Sequence, residues 1–261
     1  MKVIGIIPAR YGSTRLTGKP LIQFHNKPLI QITYEAIVNS KLFDSIFIAT
    51  ESEIIKKKVM QFGGQCIMTS KEAKNGTERC AEAIEHINYD CDIVVNFQGD
   101  APLTPEWFIE DLIEAFNENT DTQIATPVLR LDGALLNAFK LDRRSGRVGG
   151  TTVVFDNEGN ALYFSKEIIP YFDKKRLKRS ETYPIFHHVG VYAYRRKPLL
   201  NYNSWKESNL ELLEGLEQLR FLENGYSIKC VPVDSKGRTF WELNNPEDVA
   251  RIEKEINKNI A

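Results

Sequence analysis

Arg10, Arg15 and Lys19 share one short segment, Pro8-Ala9-Arg10-Tyr11-Gly12-Ser13-Thr14-Arg15-Leu16-Thr17-Gly18-Lys19-Pro20, with the small residues Ala9, Gly12, Ser13 and Gly18. Small residues let main-chain N–H groups approach an anion, and spaced cations neutralise a triphosphate, so the chemistry expected here is phosphate cradling. The alternative is a solvated basic loop, against which the glycines and the position directly after an apolar run count. The segment is neither G-x-x-x-x-G-K-[ST] nor G-x-G-x-x-G, which sets aside P-loop ATPases and dinucleotide enzymes. Asp100 closes Gln98-Gly99-Asp100 after the apolar run DIVVNF. A carboxylate there suits a hard divalent cation shared with phosphates, or else belongs to a turn. Gly76-Thr77-Glu78-Arg79 opens a helical stretch whose N–H groups suit an anion or a base edge, with Thr77 as a simple N-cap the other reading.

These groups need a frame that brings strand ends together. Val3 to Ala9 and Asp92 to Phe97 are short apolar runs, as strands buried on both faces require. Ser45 to Thr50 and Cys66 to Thr69 are further strands. Helical spacing at Leu29, Ile30, Ile32, Tyr34 and Ile37 predicts a helix over 28–40, and others are predicted from Glu51 to Phe62 and from Thr77 to Ile87. Strand-helix alternation builds a parallel sheet covered on both faces, with ligands at the carboxyl ends of its strands. Beyond about residue 130 the alternation breaks. TTVVFDNEGNALYF (151–164) predicts a hairpin turning at Asp156–Gly159, Lys166 to Arg179 an exposed basic excursion, and His187 to Tyr194 a strand. A helix at Leu210–Glu223, strands at Ile228–Val233 and Thr239–Leu243, and a helix opened by Asn245-Pro246 complete the chain. The expectation is α/β: a mixed, mostly parallel sheet sandwiched by helices, as one domain over 1–261 with a smaller inserted lobe at about 130–190.

Bulk properties exclude several classes. Lys plus Arg (34) nearly balance Asp plus Glu (35), so no overall field favours nucleic acid or an anionic membrane. No stretch reaches the ~20 apolar residues of a membrane span, and Val3–Ala9 is too short for a secretory leader. Cys66, Cys80, Cys91 and Cys230 lack zinc spacing and read as thiols in a reducing cytoplasm.

The first segment resembles the signature of nucleotide-sugar pyrophosphorylases and, more narrowly, the P-A-R-x-x-S-x-R-x-x-G-K-P of the 3-deoxy-manno-octulosonate (Kdo) cytidylyltransferases. NGTER (75–79), QGD (98–100), ALYFSKEIIP (161–170), HVGVYAYR (188–195) and LEQLRFLENG (216–225) are similar to further segments of that family, in the same order. The resemblance implies a nucleotidyltransferase of Rossmann-like, glycosyltransferase-A type that joins CTP to an acidic sugar as a homodimer. It implies that Ala9, Arg10, Gly12, Ser13, Lys19, Gly76, Thr77 and Arg79 bind the nucleotide, that Arg10, Arg15 and Lys19 hold its phosphates, and that Asp100 binds Mg²⁺. Gln98, Lys166, His188, Tyr192, Glu217 and Gln218 would face the sugar. By residue type alone, His188 reads as a structural histidine, and Glu217 and Gln218 as surface positions.

Departures from the family pattern concern the metal and the sugar. WELNNPED (241–248) places Asn244 where a second metal-binding aspartate is usual, leaving Asn244 or Glu242 as the second ligand, or an impaired site. Ala101 stands for a Glu, Thr17 for a Pro, Lys166 for an Arg and Thr152 for a Lys, and Arg143, Arg144 and Arg147 form an added basic cluster. Because Arg grips a carboxylate at two points and Lys acts as a point charge, these exchanges leave Kdo, an 8-amino analogue or another 2-keto-3-deoxy acid open as the substrate. A pyrophosphorylase for another nucleotide or alcohol, and a non-catalytic binding module, are the alternatives.

Overall fold

The computed structural model describes residues 1–12, 16–24, 26–87, 90–147, 150–173, 184–238, 243 and 248–260. Ser13, Arg15, Glu242, Asn244, most of the strand expected at 239–243 and the Asn245-Pro246 opening lie outside them. In chain order the elements are β1 Val3–Pro8, β2 Gln23–Phe24, β3 Lys27–Pro28, α1 Leu29–Ser40, β4 Ser45–Thr50, α2 Glu53–Gln61, β5 Gln65–Met68, α3 Gly76–His86 and β6 Ile93–Asn96. There follow α4 Glu106–Glu118, β7 Ile124–Arg130, α5 Gly133–Arg144, β8 Thr151–Phe155, β9 Ala161–Ser165, β10 Phe186–His188 and β11 Tyr192–Arg195. The last are α6 Arg196–Tyr202, α7 Asn209–Glu214, α8 Leu219–Glu223, β12 Lys229–Val233 and α9 Asp248–Ile260.

The parallel core runs β5-β4-β1-β6. Its apolar strands are covered on one face by a cluster including Ile30, Ile55, Phe108 and Leu112 from α1, α2 and α4, and on the other by Cys80, Ile84, Leu199 and Phe221 from α3, α6 and α8. β11 then pairs antiparallel with β6, and the sheet continues through β7, β10 and β8 to β9, with β12 parallel on β7. The sheet is therefore mixed, as expected. The 130–190 segment extends it, since β8, β9 and β10 hydrogen-bond onto β7 and one another.

Two expected elements are divided, each for a visible reason. The strand read at His187–Tyr194 is β10 and β11: Phe186–His188 pair with Val128–Arg130, whereas Ala193 and Tyr194 pair with Ala125 and Ile124. A tight turn joins them, with the Val191 N–H donating to the Val189 carbonyl (2.7 Å), and Thr126 Oγ1 lies against the carbonyls of both Val189 and Val191 (3.2 and 2.8 Å). The strand thereby changes partner from β8 to β6. The helix read at Leu210–Glu223 is α7 and α8, because Gly215 takes a left-handed φ of 60° that ends α7. The turn so created carries Glu217 and Gln218.

Candidate active site

The first loop leaves β1 at Pro8 and closes on itself where the Gly18 N–H donates to the Tyr11 carbonyl (2.9 Å), with Gly18 left-handed at φ 70° under the Tyr11 ring. Closure turns Lys19 inward while Arg10 and Gly12 stay exposed. Lys19 Nζ forms an ion pair with Asp100 at the end of β6. Two groups chosen from separate motifs thus meet at the carboxyl edge of the parallel core. Their loops are packed hard together: a side chain on Gly99 would lie 3.0 Å from the Pro8 carbonyl, and Thr33 Oγ1 of α1 donates to the Gly99 carbonyl (3.2 Å).

The start of α3 faces the same edge, where a side chain on Gly76 would meet Gln98 Nε2 at 3.1 Å and Pro8 at 3.4 Å. The N-cap is Asn75, whose Oδ1 accepts the Glu78 N–H (2.8 Å), so Thr77 does not cap. Thr77 is fully buried, shares a hydrogen bond with the Tyr194 hydroxyl (3.0 Å), and donates its N–H to the Glu217 carboxylate (3.2 Å). Burial pushes the Glu217 carboxyl above its ordinary value, and the N–H groups of Thr77 and Gly76 oppose that rise. The helix N-terminus already holds an anion from its own chain. Arg79 is likewise engaged internally: it is buried, donates to Thr69 and the Ser70 carbonyl, and pairs with Glu51 (3.1 Å), which in turn accepts the Tyr11 N–H (2.8 Å). Desolvation lowers the Arg79 pKa, with Glu51 opposing. Arg79 therefore reaches the first loop through Glu51.

The second group of predicted residues lines the antiparallel half. His188 and Tyr192 are in ring contact (5.3 Å), Tyr192 stacks on Tyr194 (5.8 Å), and Tyr194 reaches Thr77, so a continuous buried row leads from β10 to α3. Burial holds the imidazoles neutral, His188 down to about 3 and the neighbouring His187 down to about 4. His188 Nε2 and Gln218 Nε2 are buried without a hydrogen-bond partner among the described residues. Such orphaned groups are uncommon and mark places where water or a ligand supplies the missing partner. Asn96 sits directly across from Tyr192 in the β6–β11 pairing. Lys166 follows β9, half-buried, its N–H held by Glu214 (2.9 Å).

Residues that sequence reasoning missed are mostly those holding others. Arg220, 2% exposed, grips Glu211 through two nitrogens (2.6 and 2.7 Å), pairs with Glu78 (2.8 Å) and lies over the Tyr202 ring (4.1 Å). Tyr202 donates to the Glu217 carbonyl (3.0 Å), so one network ties the Glu217 turn to α3. A buried arginine within LEQLR was the available signal; Glu51, directly after a strand, was another. Among the described residues no three His, Cys, Asp or Glu side chains gather into a metal cluster, and no helix is long and apolar enough to cross a membrane. The cysteines are free, with Cys80, Cys91 and Cys230 buried.

An open cation-bearing loop, a carboxylate at the next strand end and a helix start, all at one edge of a mixed α/β sheet, define a nucleotidyltransferase. The cytidylyltransferase family model matches residues 4–229. The 3-deoxy-manno-octulosonate cytidylyltransferases of Maricaulis maris and Phocaeicola vulgatus are 40% and 42% identical, each over 97% of this chain and 96% of theirs. A mitochondrial relative of the same description from Arabidopsis thaliana is 39% identical over 97% of this chain and 82% of its own. The solved structure of a CMP:2-keto-3-deoxy-manno-octonic acid synthetase complexed with CTP superposes with a TM-score of 0.84 at 30% identity, covering 99% of this chain and 100% of that one. A 4-diphosphocytidyl-2C-methyl-D-erythritol synthase from Anaerococcus prevotii (TM-score 0.61, 12% identity, 98% of this chain and 99% of that one) shares the fold. The chain belongs to the cytidylyltransferase family, among its 3-deoxy-manno-octulosonate cytidylyltransferases.

Proposed function

We propose that this protein joins CTP to Kdo, giving CMP-Kdo and pyrophosphate. The observation that carries the reading is the Lys19–Asp100 pair at the edge where β1, β6 and α3 converge, with the His188-to-Thr77 row leading away from it. Ala9, Arg10, Gly12, Ser13, Arg15 and Lys19 receive the triphosphate. Gly76 and Thr77 shape the nucleotide's other side, and Arg79 holds the loop in place through Glu51. Gln98, Lys166, His188, Tyr192, Glu217 and Gln218 receive the sugar acid. The anomeric hydroxyl oxygen attacks the α-phosphorus, the bond to the bridging oxygen of pyrophosphate breaks, and the hydroxyl proton leaves to solvent. Positioning and charge neutralisation do most of this work, so no dedicated acid-base pair is required.

Asp100 suits Mg²⁺. Its side chain keeps 27% exposure beside Lys19, offering the hard oxygen that a cation shared with phosphates and waters requires. The Leu243 N–H donates to the Asp100 main-chain carbonyl (2.9 Å), which sets residue 243 beside Asp100 and supports one of its sequence neighbours, Glu242 or Asn244, as second ligand. When bound, such a cation draws charge from the phosphates. We read the enzyme as a cytoplasmic homodimer without nucleic-acid partners, its 130–190 segment serving sugar binding and dimerisation. Exposed Leu162, Leu212 and Leu213 support the dimer, which light scattering tests.

Pyrophosphate release is measured with each nucleoside triphosphate, Mg²⁺, and Kdo, its 8-amino analogue or other 2-keto-3-deoxy acids. Turnover with CTP and Kdo is expected. Preference for another nucleotide, or CTP binding without turnover of any sugar acid, overturns the reading, and preference for the analogue reassigns only the sugar.

A further inference from the structure

The Arg143, Arg144 and Arg147 cluster has no task in the transfer reaction as described, and the structure separates its members. Arg144 and Arg147 are exposed, and Arg147 pairs with nearby Asp142 (3.4 Å). Arg143 turns inward from the end of α5. Its guanidinium lies over the Phe139 ring (5.0 Å), and its Nη2 donates to the main-chain carbonyls of Gly150 and Lys166. Nε and Nη1 are buried with no partner, and desolvation lowers the pKa, with Glu167 opposing. Burying a cation on two carbonyls is a poor way to gain stability, because much of its hydration is lost without a paired charge. The arrangement instead places a backbone.

The backbone placed is that of Lys166. Arg143 holds its carbonyl and Glu214 its N–H (2.9 Å). On the next residues Thr152, fully buried, donates its hydroxyl to the Glu167 carbonyl (2.7 Å) and accepts the Ile169 N–H (3.1 Å). With its main chain fixed, the side chain runs to Gly215, where a Cβ would lie 2.8 Å from Nζ. Gly215 opens the turn that carries Glu217 and Gln218. Its missing side chain is the space the ammonium occupies.

We propose that Arg143 is a positioning residue for the sugar-acid site, holding Lys166 so that its ammonium meets the substrate carboxylate beside Gln218. This rests on the reading that Lys166 contacts the sugar acid. Arg143 touches no substrate, so its effect passes entirely through Lys166.

The test is steady-state pyrophosphate release by the full-length enzyme with Kdo and CTP varied in turn, for Arg143→Met, Arg143→Lys, Lys166→Met and the Arg143→Met/Lys166→Met double variant. Lys166→Met and Arg143→Met are each expected to raise KM for Kdo roughly tenfold, with KM for CTP changed less than about twofold and Arg143→Lys in between. The double variant is expected to be no worse than Lys166→Met, because a residue acting only through another adds nothing once that one is gone. Should Arg143→Met fail to fold, Arg143→Lys is judged by the same split between the two KM values. An unchanged KM for Kdo in the Arg143 variants, equal losses for both substrates, or multiplying effects in the double variant overturns the proposal while leaving the role of Lys166 intact. A Lys166→Met enzyme with unchanged KM for Kdo overturns the underlying reading, and the proposal with it.

Discussion

The two ends of the site are built by different means. At the end proposed for the nucleotide the groups sit on loops at the carboxyl ends of parallel strands, stay open to solvent, and come from contiguous motifs: Arg10 and Gly12 are exposed, and Asp100 keeps 27% exposure beside Lys19. At the end proposed for the sugar they lie on antiparallel strands and a helical turn, and contacts across long stretches of chain hold them, such as Thr77 to Glu217 and Glu78 to Arg220. Parallel topology presents loops at one edge without further arrangement. The antiparallel half must be enclosed by helices, which buries polar atoms of His188 and Gln218 that no described residue pairs. Charge dominates at one end and shape with hydrogen bonding at the other.

The sharpest way to break this contrast is Asp100→Asn, which removes the carboxylate but little of the shape. It is expected to lower kcat by about 10³-fold, or ~4 kcal/mol in the barrier, with thermal stability almost unchanged. A loss below about tenfold in the pyrophosphate assay would show that charge at this strand end matters less than the geometry implies. Next comes Arg220→Met at the enclosed end, which leaves Glu211, itself 6% exposed, without its buried partner. Unfolding in urea should show a loss of about 3–5 kcal/mol, the cost typical of breaking a buried pair.

The third expectation concerns acid. His188 and the half-buried His187 are held neutral to about 3 and about 4, below the ~6.5 of an unfolded imidazole. From about pH 6.5 downward the unfolded chain takes up protons that the native one refuses, so stability should fall with pH by at most ~1.4 kcal/mol per pH unit for each group. Glu217 works in the opposite direction, since its raised carboxyl takes up a proton in the native state first. His188→Phe should flatten the acid limb of a series of urea midpoints between about pH 7 and 5. A midpoint indifferent to pH in the wild-type protein would contradict the enclosed row. The smallest effect is expected from Gly215→Ala, about 1–2 kcal/mol from the left-handed φ of 60°. Calorimetry measures that loss, and a rise in KM for Kdo without one for CTP reports the displaced Lys166.

Legibility followed the same division. The strands β1, β4 and β6 and the helices beside them were readable because two-sided burial writes apolar runs and helical spacing directly into the chain. The strand at 187–194 and the helix at 210–223 were read as continuous because their apolar spacing is continuous. Their breaks arise from a change of strand partner near Gly190 and a left-handed Gly215, neither of which alters periodicity. The place of Arg79 in NGTER marks it for the nucleotide site by resemblance, but its contacts with Glu51 and Thr69 are not legible in the sequence, because a guanidinium at that depth needs internal acceptors that only the fold supplies.

By itself, the order of motifs from Pro8 to Gly225 determined the family of cytidylyl transfer, and it singled out the loop cations and Asp100 as the groups proposed for phosphate and a divalent ion. These depend on residue type and on nearness along the chain, which a sequence records. Only the tertiary structure decided that Glu217 closes the start of α3, that Arg220 anchors that turn, and that Arg143 and Thr152 hold the loop of Lys166. Those roles depend on which buried charge finds which acceptor, and that pairing is settled by how the antiparallel half folds back on the parallel one.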